Sequence, residues 1–405
     1  MKILVLNSGS SSIKFKVFNL EDQYVMASGT VDRIGIDNSF LDYEYGENKE
    51  KRIDIDIPDH ARGIKLVLDT LQDDKIGVIE TLNDLNAVGH RVVHGGEKFA
   101  ESTLINQEVV EGIEEVSHLA PLHNPHNING IKVCTELMPG KPQVAVFDTA
   151  FHQTMKKNVY LYALPWKYYT QHGIRRYGFH GTSHKFVAQK AAEVRKKPFS
   201  SQKIITCHLG NGASVAAIDQ GKSVETSMGL TPLEGLIMGT RCGDLDPGLI
   251  TFIMEKENLS IEEVNDIMNK ESGLLGISGL SSDSRDVRKA AAQGHKRAQL
   301  ALKLFNYQVV KYIGAYTAVM NGLDMIVFTA GIGENACDLR ADIVNALDFL
   351  QVELDDKANQ VRQEIGRITT DQSQVDVYVI PTDEELVIAQ DTQRVVEKCQ
   401  EIGVI

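Results

Sequence analysis

Small polar residues separate two apolar segments at the start of the chain. Ile3–Leu6 predicts a buried strand, and Ile13–Phe18 alternates apolar and polar residues as a strand with one wet face does. Between them lies Asn7–Ser12 (NSGSSS), and Lys14 follows this turn. Glycine and serine let backbone N–H groups and hydroxyls approach an anion without side-chain bulk. The segment therefore predicts either a phosphate-binding hairpin or an ordinary serine-rich turn.

Two further predicted strands end on charged residues. Ala87–His94 delivers Arg91 shortly before a pair of glycines. An arginine there can bind a carboxylate or phosphate through two parallel hydrogen bonds, although a surface arginine on an edge strand has the same pattern. Val144–Phe147 is an apolar run followed by Asp148. An acid in this place positions a metal or a nucleophile in phosphoryl-transfer enzymes, or it caps the next turn.

Histidine and arginine also occur among glycines later in the chain. His180 precedes a predicted helix, where it could donate to an anion, cap the helix or belong to the core. Arg241 lies in a glycine-rich loop. A separate group, His118, His123 and His126, straddles two prolines without a cysteine or acidic partner. That spacing does not favour a zinc site.

The first hairpin pattern recurs about half a chain length later. Ile204–Ile218 contains an apolar segment, the turn Gly210-Asn211-Gly212 and a second apolar segment. Two similar hairpins at this spacing suggest a gene duplication that produced two like domains. We therefore expect two lobes facing each other across a cleft that holds a nucleotide.

Composition limits the class of protein. A chain of 405 residues with 42% hydrophobic and 24% charged residues is typical of a soluble globular protein with two domains. The net charge of −13, without a basic tail or stripe, argues against nucleic acid or an anionic membrane as a partner. The five cysteines form no C-x-x-C motif, and no apolar run reaches the roughly 18 residues of a membrane span. We expect a cytoplasmic protein with reduced thiols.

A second glycine motif favours a different class of enzyme. Gly331–Ala336 follows a predicted strand and matches the G-x-G-x-x-A form of the dinucleotide fingerprint, with Glu353 twenty residues after Gly333. This pattern favours an NAD-dependent dehydrogenase. Against it, the motif follows a long predicted helix, 287–321, instead of opening an alternating βαβ domain. Because glycine turns after strands also bind adenine or phosphate in other folds, both interpretations stay open at this point.

Seven short blocks, taken together, resemble the acetate kinase family. They are residues 7–14, 89–96, 148–152, 177–181, 208–212, 239–241 and 331–335. The blocks cover the whole chain in the family's order, and their combination is specific where each block alone is weak. Two positions depart from the commonest family pattern, since His126 replaces a small residue and Cys242 replaces a serine. Neither position has an expected chemical role.

The resemblance implies an α/β fold of the actin and hexokinase type, with two duplicated ribonuclease-H-like lobes around a central cleft. The N-terminal lobe is expected over 1–150, with a C-terminal helix at 385–405 packing back on it. The C-terminal, nucleotide-binding lobe is expected over 151–384. Members of the family are homodimers, so the resemblance also implies a second copy of the chain as a partner.

The implied reaction is reversible, Mg²⁺-dependent transfer of a phosphoryl group from ATP to acetate, which gives ADP and acetyl phosphate by direct in-line transfer. Mn²⁺ is an alternative ion. Such transfer depends mostly on positioning and on stabilisation of charge. A propionate or butyrate kinase of the same family is the alternative within the class, and the dehydrogenase is the alternative outside it.

The resemblance assigns roles to matching residues. The expected catalytic residues are Asp148, His180 and Arg241, of which the last two would donate to the transferring phosphoryl group. Arg91 would hold the acetate carboxylate. The expected wall of the methyl pocket is Val93, Leu122, Phe179 and Pro232. The expected magnesium-positioning residues are Asn7 and Glu384. The expected nucleotide-binding residues are Lys14, His208, Leu209, Gly210, Asn211, Gly212, Asp283, Ser284, Arg285, Gly331, Ile332, Gly333, Glu334 and Asn335.

One of these roles conflicts with elementary acid–base chemistry. The family assigns Asp148 as a proton donor or acceptor. Acetate is already ionised at neutral pH, so its attack on phosphorus needs no general base. We therefore expect Asp148 to orient Mg²⁺ and its water ligands.

Overall fold

The computed structural model describes residues 1–22, 24–46 and 49–405. The chain forms two compact units. Unit 1 comprises Met1–Ala150 and Asp383–Ile405, and unit 2 comprises Phe151–Thr382.

Each unit contains one sheet with helices. The strands are β1 (Lys2–Ser8), β2 (Ser12–Asn19), β3 (Tyr24–Asp32), β4 (Phe40–Tyr45), β5 (Lys49–Asp54), β6 (Ala87–Val92), β7 (Thr103–Leu104), β8 (Gln143–Phe147), β9 (Lys203–Leu209), β10 (Ala213–Asp219), β11 (Lys222–Thr226), β12 (Met325–Thr329), β13 (Gly366–Arg367) and β14 (Asp376–Val379). The helices are α1 (His60–Leu71), α2 (Gln107–Glu115), α3 (Asn124–Leu137), α4 (Lys157–Tyr160), α5 (Lys167–His172), α6 (Gly181–Val194), α7 (Gly248–Glu257), α8 (Ile261–Asp266), α9 (Gly273–Ser278), α10 (Ser284–Ala292), α11 (Lys296–Met320), α12 (Ala330–Asn335), α13 (Cys337–Asn345) and α14 (Glu384–Glu401).

The two sheets share an arrangement of five strands, which is β3-β2-β1-β6-β8 in unit 1 and β11-β10-β9-β12-β14 in unit 2. The strand order is β5-β4-β3-β2-β1-β6-β8-β7 in unit 1 and β11-β10-β9-β12-β14-β13 in unit 2. In unit 1, β1 pairs antiparallel with β2 and parallel with β6, which continues parallel to β8. In unit 2, β9 has the same relation to β10, to β12 and onward to β14. The duplication predicted from the two hairpins is confirmed by this common order and direction of strands.

The composition of the first strand explains its central place in unit 1. Ile3–Leu6 is at most 1% exposed, because both faces of β1 are covered. Leu4 and Leu6 pack in a cluster with side chains of α1 and α3, whereas Ile3 and Val5 pack with side chains of α14. A continuous apolar run, as opposed to an alternating one, is what a strand buried on both faces requires.

The long helix predicted over 287–321 is wrong in one respect. The segment forms two helices, α10 and α11, separated around Gly294. Gly294 has φ +89, a left-handed conformation that ends α10 and that other residues adopt only with strain. Within the described residues, no helix is long and apolar enough to cross a membrane.

Candidate active site

Strand order in unit 1 brings together residues that are far apart in the sequence. Asn7 lies near the end of β1, Arg91 lies near the end of β6, and Asp148 follows β8. These three strands are parallel neighbours, so their carboxyl ends meet at one edge of the sheet. Arg91 donates from Nη2 to Asp148 Oδ2 at 2.5 Å and from Nε to Oδ1 at 3.1 Å. Its Nη1 donates to Asn7 Oδ1 at 3.3 Å.

Burial shapes the electrostatics of this group. Burial raises the pKa of Asp148 above its ordinary value, the charge of Glu384 adds to this rise, and Arg91 counteracts it. Burial likewise raises the pKa of Glu384, against the charges of Arg91 and Lys14. Two carboxylates therefore share a buried environment with the Arg91 guanidinium.

The donor set has the chemistry that Mg²⁺ prefers. Asn7, Asp148 and Glu384 offer amide and carboxylate oxygens, the hard ligands of this ion. Within the described residues, no group of three or more His, Cys, Asp or Glu side chains is arranged to hold a metal. Mg²⁺ commonly takes only one or two protein carboxylates and completes its shell with water and phosphate oxygens. The residues of unit 1 fit such a partial site.

The turn of the first hairpin is held from two sides. Gly9 N–H donates to the Ser12 carbonyl at 2.8 Å, which closes the turn. His60 Nε2 lies 2.7 Å from the Gly9 carbonyl, and Asn127 Nδ2 donates to the Ser8 carbonyl at 2.8 Å. Asn7 and Lys14 are cross-strand partners in the hairpin, so Lys14 lies opposite the residue that contacts Arg91. These bonds fix the backbone of the predicted phosphate-binding turn.

The four residues predicted for the methyl pocket belong to both units. Val93 and Leu122 lie in unit 1, and Phe179 and Pro232 lie in unit 2. Val93 is 6% exposed and Phe179 is 3% exposed, whereas Leu122 is 73% exposed in the turn before α3. Strand β6 ends at Val92, so Val93 lies one residue beyond the strand that carries Arg91.

In unit 2, His180 and Arg241 converge on one glycine. His180 immediately precedes α6 with φ +56, and its ring stacks on His208 at a centroid distance of 4.2 Å. A Cβ placed on Gly212 would lie 3.5 Å from His180 Nε2 and 3.8 Å from Arg241 Nη1. The glycine keeps this space free, so that both nitrogens border it.

Arg241 is a cation without an acidic partner among the described residues. Its Nη1 donates to the Pro232 carbonyl at 2.8 Å and contacts Met238 Sδ at 3.5 Å. No carboxylate of the described residues pairs with it, and burial lowers its pKa. A partly buried guanidinium of this kind is stabilised by an anion, and phosphate matches its geometry well.

A cavity of about 740 Å³ in unit 2 gathers much of the predicted nucleotide site. The predicted residues that line it are Gly210, Asn211, Asp283, Ser284, Arg285, Gly331, Ile332 and Asn335. The predicted residues Lys14, His208, Leu209, Gly212, Gly333 and Glu334 do not line it. Sequence reasoning missed Gly239, Arg288, Arg362 and Gln363, which also form its wall. A Cβ on Gly239 would lie 2.0 Å from Asn211 Oδ1 and 2.9 Å from the Ser282 carbonyl oxygen, so a larger residue there would displace the backbone.

A buried arginine that sequence reasoning missed supports this cavity. Arg340 is 1% exposed and donates to the carbonyls of Gly333 and Glu334 at 2.8 and 2.9 Å. It also donates to Asn359 and to the Val361 carbonyl, so it joins the turn at α12 to the segment that carries Arg362. Burial lowers the pKa of Arg340 to about 10. No spacing rule in the sequence indicates this role.

The shared strand order assigns the chain to the actin and hexokinase fold class. This fold, together with the imidazole and guanidinium that border the space at Gly212, defines the protein as a phosphotransferase. Residues 2–390 match the acetokinase family, and the chain belongs to that family. The dehydrogenase interpretation of Gly331–Ala336 is therefore wrong. The motif follows β12, the fourth strand of a mixed sheet, and not the first strand of a dinucleotide-binding domain.

Relatives and solved structures agree over nearly the full length. The chain is 66% identical to an acetate kinase of Halothermothrix orenii over 397 residues, covering 98% of this chain and 100% of that protein. It is 55% identical to an acetate kinase of Thermotoga maritima, covering 98% and 99%. The crystal structure of Porphyromonas gingivalis acetate kinase superposes with a TM-score of 0.95 at 46% identity, covering 98% and 99%. A propionate kinase from Francisella tularensis superposes with a TM-score of 0.90 at 41% identity, covering 97% and 99%.

Proposed function

We propose that this chain is an acetate kinase that transfers the γ-phosphoryl group of ATP to acetate. The observation that carries the proposal is the Arg241 guanidinium, which pairs with no carboxylate of the described residues and borders the same space as His180 Nε2. Two donors aimed at one space suit the equatorial oxygens of a transferring phosphoryl group. The names of the relatives at 54–66% identity favour acetate over propionate or butyrate as the substrate.

The residues of unit 1 suit the acyl substrate. Arg91 would hold the acetate carboxylate, and its paired contacts with Asp148 fix the plane of the guanidinium. An acetate oxygen attacks the γ-phosphorus while the bond to the β,γ-bridging oxygen breaks, and ADP leaves with that electron pair. Because acetate carries no proton at neutral pH, the proposed role of Asp148 is to orient Arg91 and the metal ion.

Mg²⁺, or Mn²⁺ as an alternative, would be held by Asn7 and Glu384 with Asp148 beside them. When bound, the ion neutralises charge on the phosphate oxygens. The proposed nucleotide site is the cavity of unit 2. Lys14 is proposed to contact the phosphates. In this proposal unit 1 binds the carboxylate of acetate, and unit 2 is the nucleotide-binding lobe.

We further propose that the protein is a homodimer. Leu300, Leu304 and Tyr307 lie on one face of α11 and are 51%, 38% and 67% exposed. An exposed apolar stripe of this kind on a helix marks an interaction surface. Sedimentation equilibrium should give a dimer for the native chain and a monomer for Leu304→Glu. A monomeric native protein would contradict the proposal.

The five free cysteines support the further proposal of a reducing, cytoplasmic location.

One coupled assay tests the function. ADP formation should require ATP, Mg²⁺ and a carboxylic acid, with acetate preferred over propionate and propionate over butyrate. One added methylene should weaken transition-state binding by about 1–3 kcal/mol, so propionate should still react. An equal or better rate with propionate would overturn the assignment to acetate. Turnover with a nicotinamide cofactor in the absence of Mg²⁺ would overturn the reaction class.

A further inference from the structure

We propose that Thr206, His184 and Ser214 form a hydrogen-bonded relay that fixes the tautomer of His180, so that His180 carries its proton on Nε2. The relay gives His180 the form in which it donates to an anion. This inference rests on the proposed function in one respect, namely that His180 acts on the transferring phosphoryl group. The three relay residues are positioning residues, since none of them borders the space beside Gly212.

The relay is continuous. Thr206 Oγ1 lies 2.7 Å from His184 Nδ1, and His184 Nε2 lies 2.7 Å from Ser214 Oγ. Ser214 Oγ in turn lies 2.8 Å from His180 Nδ1. Thr206, His184 and Ser214 are all 0% exposed, so water does not compete for these bonds.

The fold explains why these groups meet. Thr206 lies on β9 opposite Ala216 of β10, and Ser214 is two residues from Ala216, so both hydroxyls lie on the same face of the sheet. Helix α6 packs on β9 and carries His184. His180 immediately precedes α6, and the centroid of its ring lies 6.4 Å from that of His184.

Hydrogen-bonding rules give the relay a direction. In the described part of the chain, His184 Nδ1 is the one hydrogen-bond partner of the Thr206 hydroxyl, so this hydroxyl donates its proton there. His184 is neutral, since burial together with His152 and His208 lowers its pKa well below the ordinary value. A neutral imidazole that accepts at Nδ1 carries its proton on Nε2, and His184 therefore donates to Ser214.

The same rule then determines the tautomer of His180. Ser214 Oγ receives the proton of His184, and its own hydroxyl proton is directed to its remaining partner, His180 Nδ1. A His180 that accepts at Nδ1 carries its proton on Nε2. This nitrogen borders the space next to Gly212 that Arg241 Nη1 also borders. The opposite tautomer would present a lone pair to the phosphate oxygens, which repels them.

A pair of substitutions separates the hydroxyl from the shape of Thr206. Thr206→Val keeps the volume and removes the hydroxyl, whereas Thr206→Ser keeps the hydroxyl and removes one methyl group. The matched control is Thr70→Val, because Thr70 is also buried and its hydroxyl donates to the Leu66 carbonyl in α1 of unit 1. Two readouts are compared: the His180 tautomer, from two-bond ¹H–¹⁵N correlation spectra of ¹⁵N-histidine-labelled protein, and kcat with acetate and MgATP. The His180 resonances are assigned as those missing in His180→Gln.

We expect kcat to fall in proportion to the Nε2–H population of His180. In Thr206→Val the Nε2–H population of His180 should fall, and kcat should fall by the same factor, about threefold to tenfold, with the nucleotide dissociation constant within about twofold of the native value. Thr206→Ser should recover the native tautomer and most of kcat, and Thr70→Val should change neither. A fall in kcat with the native tautomer unchanged in Thr206→Val would overturn the relay. A fall in kcat of Thr206→Ser as large as that of Thr206→Val would also overturn the relay.

A second variant guards against a folding defect. If circular dichroism shows that Thr206→Val does not fold, Ser214→Ala removes the last link, and the Nε2–H population of His180 should fall there too. An unchanged tautomer in Ser214→Ala would overturn the relay. If the native protein does not transfer phosphoryl groups to acetate, the proposed function fails, and the tautomer measurement still decides the relay.

Discussion

Arg241 shows what a single residue contributes when no acidic group in the described part of the chain pairs with its charge. No described carboxylate neutralises its guanidinium. Arg241 therefore stabilises most strongly a state in which negative charge develops beside it, as in the transition state of phosphoryl transfer. We expect Arg241→Ala to lower kcat by about a hundredfold or more and to leave the nucleotide dissociation constant nearly unchanged. Steady-state kinetics and equilibrium nucleotide binding measure the two effects. Near-native kcat with a raised KM for acetate would instead make Arg241 a ground-state binding residue.

Asp148 offers a second test at the scale of one side chain. Asp148→Asn keeps the shape of the group and one acceptor for Arg91, and it removes the negative charge. We expect a larger change in the Mg²⁺ concentration needed for half-maximal rate than in the pH–rate profile, because the nucleophile has no proton to lose. Mg²⁺ titrations and pH–rate curves of both proteins decide between the roles. Native Mg²⁺ dependence with loss of an acidic limb would support a general base.

At the scale of an element, helix α3 acts as a clamp. Asn127 accepts from Val93 N–H at 3.1 Å and donates to the Ser8 carbonyl at 2.8 Å. Asn124, one turn earlier, accepts from His94 N–H and donates to the His94 carbonyl. The helix thus ties the backbone after β6 to the turn of the first hairpin. This explains how Val93 is fixed even though strand β6 ends before it.

The clamp can be tested directly. Asn127→Ala leaves the Val93 N–H and the Ser8 carbonyl without their partner, and each buried unpaired group costs about 1–3 kcal/mol. We expect urea titrations to show a free energy of unfolding that is lower by an amount within that range or above it. The KM for acetate should rise, and the KM for ATP should not change. The control is Asn345→Ala, an exposed asparagine at the end of α13, for which a loss of about 0.5 kcal/mol or less in the free energy of unfolding is expected. Equal effects of the two substitutions would contradict the clamp.

At the scale of the whole molecule, buried neutral histidines couple folding to pH. Burial lowers the pKa of His90 and of His152 to about 4. Below about pH 6.5 the unfolded chain binds protons that the folded chain does not bind, so these groups lower the free energy of unfolding as pH falls from about 6.5 to about 4. The raised pKa values of Asp148 and Glu384 act in the opposite direction, because the folded state then binds the proton more tightly.

A comparison of two proteins isolates one histidine from the rest. His90 contacts Gln143 at 2.7 Å, and a glutamine at position 90 can still donate to that side chain. We expect the free energy of unfolding of His90→Gln to depend less steeply on pH between about 4 and 6.5, by about 1.4 kcal/mol per pH unit. Urea titrations at several pH values in this window measure the slopes. Parallel slopes would mean that His90 is not neutral in the folded state.

Local pattern by itself determined a large part of this protein. The apolar run of β1 and the glycine turn after β9 indicate hairpins, because strand periodicity and turn chemistry depend on neighbouring residues. The recurrence of the hairpin half a chain later indicates a duplicated fold, and the common strand plan confirms it. The position of Asp148 directly after a strand likewise follows from the order of residues.

Only the tertiary structure decided which distant groups meet. The contact of Arg91 with Asp148, the bond of Arg241 to the Pro232 carbonyl and the bonds of Arg340 to the turn at α12 all depend on strand order and helix packing. The relay from Thr206 through His184 to Ser214 spans two strands and a helix. A hydrogen bond has a range of about 3 Å in space and no preferred separation along the chain, so residue spacing does not encode such pairs.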